Sequence, residues 1–370
     1  MGPTLLGTPR RAATVALVLL VAMGVVAGIF ARDYDATRQR LARQEFLAGL
    51  FVADTRPDEA AEHYRAALAL DRDNPEVRHA LAVSLFRLGR LDEAETHLIE
   101  LLAIDPIDAE ANLLRARIAM RRQAFADAET FYQLAIYGRW GENPDAQRIA
   151  TRFELFELLM RTGARIQARA ELLRLEAELP EVPPLQRELA ARFMSLGDPM
   201  QAAEVLQHLT RELPTDARAQ KDLADALIAT GRFREAREAA SRALAADPQD
   251  RATRERLDQI NEALALDPTL RGLSPATRLR RSGELLTRVL QDVDTCLAAL
   301  PSNATRPDLT DLRARASTAL ASKPARGDAD SIEALTDQRS AAIDELWRVR
   351  QRTCGTTDGP LAWLADRVGR

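Results

Sequence analysis

Ala60, Ala94 and Ala128 stand 34 residues apart, and after one interval of 40 the series resumes at Ala168, Ala202 and Ala236. Other positions keep step: Gly163, Gly197 and Gly231; Tyr64, Leu98 and Tyr132; Ala67, Leu101 and Ala135; Pro180, Pro214 and Pro248. A fixed period of this length marks an array of two-helix units, because one helical hairpin cannot bury its apolar face alone and each unit completes the core of the next. The expected fold is all-α.

The residue types at these positions have mechanical roles. Ala82, Ala116, Ala190 and Ala224 on first helices face Ala94, Ala128, Ala202 and Ala236 opening the second, where a larger side chain would hold two crossing helices apart. Between them, "RLGRLDEAE" (87–95), "RTGARIQAR" (161–169), "SLGDPMQAA" (195–203) and "ATGRFREAR" (229–237) carry a glycine able to take the positive φ of a helix C-terminus. Units close at "AIDP" (103–106), "AELP" (177–180), "RELP" (211–214) and "AADP" (245–248), where proline ends the preceding helix. On these residues the segment 41–268 resembles the tetratricopeptide repeat family, in about six units.

The resemblance implies a right-handed α-solenoid whose first helices line a groove for partner protein segments. Carried over position by position, the groove residues are His79, Val83, Phe86 and Arg87; Leu113, Arg117, Met120 and Arg121; Phe153, Glu157, Met160 and Arg161; Arg187, Ala191 and Met194; and Lys221, Asp225 and Ile228. Arg87, Arg121 and Arg161 recur at one place in three consecutive units. Arginine beside Met and Phe suits a segment bearing carboxylates and apolar side chains, and reversing Arg87 and Arg121 is expected to spare folding. The competing reading is that these arginines only solvate the surface. The family's lysine–asparagine carboxylate clamp is not matched, since His79 and Leu113 stand for lysine and Val83 and Arg117 for asparagine.

Three departures from the pattern carry expectations. Thr55 replaces the inter-helix glycine of the first unit and Phe156 the small crossing residue of the fourth, so both units should be distorted or less stable. The interval of 40 places a six-residue insertion around "YGRWGENP" (137–144), as a loop or helix extension.

Ahead of the repeats, residues 12–31 form an uncharged run of 20, "AATVALVLLVAMGVVAGIFA", bounded by Arg10, Arg11 and Arg32. About 20 helical residues cross a bilayer core of roughly 30 Å, so the run reads as a single transmembrane helix after a short basic N-terminus (1–11) and before a juxtamembrane helix (32–40). A cleaved signal peptide is the competitor; no A-x-A site is present, and the apolar run continues through Ile29 and Phe30. Gly24 and Gly28 form a G-x-x-x-G pair of the kind that joins membrane helices, which points to a homodimer.

Residues 269–370 leave the period and read as a helical capping module. Ser274 and Pro275 start a helix carrying Leu286, Val289, Leu290, Val293 and Leu297, a short helix follows near 309–321, and a last one carries Ile332, Leu335, Ile343, Leu346 and Trp347. The two cysteines, Cys296 and Cys354, both lie there. A pair in an exported segment favours a disulfide over free thiols, contributing about 4 kcal/mol in the chain-entropy picture. That pairing and the basic N-terminus place the repeats outside the cytoplasm of a bacterial inner membrane.

No catalytic, cofactor or metal motif is present, and the histidines His63, His79, His97 and His208 are scattered. The formal net charge of −4 gives no footprint for nucleic acid. The chain therefore reads as a noncatalytic membrane-anchored scaffold or co-chaperone-like adaptor, similar in architecture to anchored repeat proteins of envelope protein assembly, secretion or cytochrome maturation. The alternative is a cytoplasm-facing adaptor recruiting an enzyme or protease.

Overall fold

The computed structural model describes residues 9–300, 307–325 and 328–368. Most of the expected basic N-terminus and of the looser stretch 301–308 lies outside the described residues, as do the side chains of 9–16, 27 and 29–31 within and before the expected span. Among the described residues the regular structure is 17 α-helices with one isolated bridge. They form two compact units, Met1–Glu171 and Leu172–Arg370.

In the first unit α1 (Pro9–Val52) runs unbroken for 44 residues, about 66 Å at the helical rise. The expected span, juxtamembrane segment and first repeat helix are thus one continuous rod. Leu17–Val21, Met23, Val25 and Val26 are all more than half exposed, yet among the described residues no helix is long and apolar enough to cross a membrane. The C-terminal part of α1 is different: Ala42, Phe46 and Val52 are buried where α2 (Pro57–Leu70) crosses it. A Cβ on Gly49 would lie 2.4 Å from Tyr64 Cε1, so glycine is what lets the Tyr64 ring reach the α1 backbone.

The following helices pair as the period requires: α3 (Pro75–Arg87) with α4 (Leu91–Ile104), and α5 (Ala109–Arg121) with α6 (Phe125–Ile136), before α7 (Pro144–Arg161). Asn74 and Asp108 cap α3 and α5 by accepting from Val77 N and Ala111 N. Ala82, Ala94, Ala116 and Ala128 are each 0% exposed, as close crossing demands. Phe156 is also interior, 1% exposed. Thr55 is accommodated by a turn without left-handed residues, in which Thr55 N and Arg56 N both donate to Val52 O.

The insertion is shared between a loop, 137–143, that folds back on the preceding inter-repeat turn and a longer α7, of 18 residues against 13 in α3 and in α5. Arg139 N donates to Ile107 O at 2.7 Å, Ala109 N donates to Arg139 O at 3.1 Å, and the Arg139 side chain pairs with Asp105. Gly138 makes the approach possible, since a Cβ there would lie 2.7 Å from Ile107 O. Trp140, within the loop, is buried.

The helix α8 (Arg165–Glu178) spans the boundary between the units. The second unit continues with the pairs α9 (Pro183–Leu196) and α10 (Pro199–Glu212), then α11 (Ala217–Ala229) and α12 (Phe233–Ala246), then α13 (Arg251–Leu266). Next come α14 (Pro275–Ala299), capped by Ser274, then α15 (Pro307–Ala321), α16 (Ala329–Cys354) and α17 (Pro360–Val368). Leu286, Val289 and Val293 of α14 and Ile343, Leu346 and Trp347 of α16 are buried to 1% or less, and Cys296 is joined to Cys354 with a Cα–Cα separation of 6.0 Å. Arg339 of α16 is buried and donates to Leu279, Ala319, Leu320 and Ser322 carbonyls, closing the C-terminus of α15. Burial lowers its pKa.

Gly89, Gly163, Gly197 and Gly231 all take φ between 74° and 82° at the inter-helix turns, but in the third unit the same turn is made by Gln123 at φ 60°. A left-handed non-glycine residue costs roughly 1 kcal/mol. Gln123→Gly should raise the unfolding free energy by about 0.5–1 kcal/mol in denaturant titration, whereas Gly163→Ala should lower it by a similar amount.

Candidate functional site

The first-helix face of unit 1 is built from α3, α5 and α7. His79, Val83 and Phe86 are half-buried on α3, Arg117 and Met120 on α5, and Met160 on α7, while Glu157 and Arg161 are exposed. Two residues assigned to the groove from sequence are not available to a ligand, because Leu113 and Phe153 are 7% and 5% exposed and serve the core. The helical period places a position on a face; whether a neighbouring helix covers it depends on packing.

The repeated arginines are committed within the array. Arg87 Nη1 donates to Ala53 O and to Asp54 Oδ1, both at 2.9 Å. One repeat on, Arg121 Nη1 donates to Phe86 O at 2.6 Å, with its guanidinium 3.7 Å from the Phe86 ring centroid. Each arginine therefore binds a carbonyl at the C-terminus of the first helix one unit earlier, where the helix dipole favours a cation. This corrects the expectation that Arg87 and Arg121 present free charge to a partner and can be reversed without structural cost. Arg161, which follows the insertion, makes no hydrogen bond or ion pair among the described residues.

Arg117 is also engaged. Its Nε and Nη2 donate to the two oxygens of Glu154 at 3.0 and 2.5 Å, and Tyr132 Oη donates to Glu154 Oε2 at 3.1 Å. The hydrogen bonds to Glu154 hold Arg117 above its ordinary pKa; burial, reinforced by the Glu154 charge, raises Tyr132, which stays a donor. Of the histidines, His63 Nδ1 lies 2.7 Å from Glu45 Oε2, and burial lowers the pKa of His97. Among the described residues no group of three or more His, Cys, Asp or Glu side chains is placed to hold a metal ion.

In unit 2 neighbouring first helices are linked by charge pairs. Arg187 Nε donates to Asp222 Oδ2 at 2.6 Å, Lys221 lies 3.4 Å from Asp250, and Asp225 lies 3.2 Å from Arg256. Ile228 is buried at 7%, which removes it from the expected groove; Met194 is half-buried and Ala191 exposed. Burial raises the Asp225 pKa, with Arg256 opposing.

The end of this face carries a contact that repeat spacing gave no means of finding. Trp363 of α17 stacks on Phe233 with ring centroids 6.2 Å apart and lies 5.4 Å from the Arg256 guanidinium. Arg367 Nη1 donates to Gly231 O at 2.9 Å and to Asp267 Oδ2 at 2.8 Å. The only sequence signal was the short amphipathic run "PLAWLADRV".

Residues 51–118 and 193–258 match the family model described as tetratricopeptide repeat. The chain is an all-α helical repeat array whose two matched stretches carry that repeat. No curated protein matches it. Among solved structures, it is similar to the C-terminal part of a TPR repeat-containing protein from Cytophaga hutchinsonii, at 15% identity over 65% of this chain and 94% of that one, TM-score 0.46. It is also similar to PilW, a widely conserved type IV pilus biogenesis factor, at 19% identity over 60% and 98%, TM-score 0.40. A third is YrrB, a TPR protein with an unusual peptide-binding site, at 14% over 53% and 97%, TM-score 0.39. At these scores the likenesses add nothing to the fold read from the repeats.

The arginine clasp has a measurable consequence. Arg121→Met removes a charge-assisted hydrogen bond and a cation–π contact, and should cost about 1–2 kcal/mol in denaturant titration. Arg161→Met should cost under about 0.5 kcal/mol, as at an ordinary surface site.

Proposed function

We propose that the chain is a noncatalytic scaffold that binds protein segments on the first-helix face of unit 1 and is anchored in a bacterial inner membrane through residues 12–31. The observation that carries the binding reading is the half-buried apolar strip of Val83, Met120 and Met160 beside the uncommitted cation Arg161, on a face whose other arginines are held by the array itself. Methionine adapts its shape to varied apolar side chains, and an exposed arginine pairs with carboxylate. A partner segment suited to this strip is apolar with a single acidic residue, less acidic than three free arginines would select.

A photo-crosslinking residue placed at Met120 or at Met160 should trap the same partner in native membranes, and one at exposed Glu129 on α6 should not. Equal trapping from Glu129, or none from the two methionine positions, would place binding elsewhere.

Anchoring is supported by the uncharged run of 20 inside a continuous helix, and by the exposure of the Leu17–Val26 side chains among the described residues. An extracytoplasmic position is supported by the Cys296–Cys354 bond, since such bonds persist in oxidising compartments. The chain should fractionate with membranes, and protease added to spheroplasts should digest residues 32–370. Full protection until lysis, with both thiols open to alkylation, would support the cytoplasm-facing adaptor instead.

A further inference from the structure

The terminal helix α17 has the features of a ligand seated in a site. It has nine residues, too few to hold a helix in water unaided, so its conformation depends on the surface beneath it. That surface takes Ala362, Leu364 and Ala365, all 4% exposed or less, and provides Phe233 for the stacked Trp363. It also contains Asp267, whose side chain is 0% exposed. Thr269 N and Oγ1 donate to Asp267 Oδ1 at 2.8 and 2.7 Å, which leaves Oδ2 for one cation, Arg367. A buried carboxylate is stable only when paired, so any helix occupying this seat must bring a cation to that point. Trp363 and Arg367 stand four residues apart, on one face of a helix.

The connection to the rest of the chain is permissive. The Cys296–Cys354 bond and the Arg350–Asp292 pair fasten α16 to α14 up to its last residue, and α17 follows after Gly355–Gly359, of which 355–358 are exposed. Apart from the Trp347 Nε1 and Gln351 Nε2 bonds to exposed Asp366, its polar ties are those of Trp363, Asp358 and Arg367. Departure of α17 breaks the Trp347 and Gln351 bonds to Asp366 but neither the disulfide nor the Arg350–Asp292 pair that joins α14 to α16.

We infer that the surface beneath α17 is a helix-binding site, held closed by α17, and that an incoming amphipathic helix bearing an aromatic residue and an arginine four positions later displaces it. This site is separate from the unit 1 face and independent of what binds there. In the closed state the tethered helix competes at an effective concentration in the millimolar range, so a free helix binds weakly until α17 is released.

The test uses the full chain and a fluorescein-labelled synthetic peptide spanning residues 356–368. The variant Trp363→Ala/Arg367→Ala, checked for an unchanged circular-dichroism melt, should bind the peptide at least tenfold more tightly than the unmodified chain. A peptide with both residues replaced by alanine should not bind. Excess native-sequence peptide should also accelerate hydrogen exchange at the α17 amides of the unmodified chain while leaving α14 and α16 unchanged, a reading that does not depend on the variant folding. If α17 exchanges only together with α14 and α16, with or without peptide, or if the folded variant gains no affinity, α17 is a fixed part of the core and the inference fails.

Discussion

Close approach of helices at alanine is the constraint on which the array depends. Ala82, Ala94, Ala116 and Ala128 in one unit, and Ala190, Ala202, Ala224 and Ala236 in the other, are buried to 1% or less. No side chain longer than a methyl group separates the backbones at these crossings, which brings the larger residues of each hairpin, such as Leu85 and Leu98, into full burial. Where the pattern breaks, the fold responds locally. Phe156 is absorbed into the interior, Thr55 turns the chain without a left-handed residue, and Gln123 takes up the left-handed strain.

Arginine supplies a second kind of order. The guanidinium groups of Arg87 and Arg121 each reach back one repeat to a helix C-terminus, while Arg117, Arg187 and Arg256 bind carboxylates on neighbouring first helices. Exposed ion pairs contribute little individually, but guanidinium-to-carbonyl bonds at a helix end set the register between successive repeats as well as adding energy. A face that looks strongly cationic in sequence is therefore largely neutralised by its own array, and the chemistry left for a partner is mainly apolar. The insertion between α6 and α7 interrupts this relay, which is consistent with Arg161 being the arginine left uncommitted.

At the other end of the chain the same chemistry is used differently. Arg339 fills the role of a C-cap for α15, Arg350 ties α16 to α14, and Arg367 neutralises buried Asp267. The first two lie inside the part closed by the disulfide and the third outside it. That difference separates a permanent core from a helix that can come and go.

The repeat period, the alanine crossings, the turn glycines and the helical class of the C-terminal region were legible in the sequence because each follows from local geometry: a hairpin of fixed length, a contact that tolerates only a small residue, a positive φ. The candidate site was only partly legible. Periodicity placed His79, Val83, Met120 and Met160 on the first-helix side, but it placed Leu113, Phe153 and Ile228 there too, and these are buried. Nor could it show that Arg87 and Arg121 were already bound, since their acceptors are backbone carbonyls that carry no sequence signature. The return of the 137–143 loop onto the preceding turn and the docking of α17 on Phe233, Arg256 and Asp267 are long-range contacts. Sequence by itself determined which helices form and where they cross; only the tertiary structure decided which charges remain free, because pairing depends on distances between segments far apart in the chain.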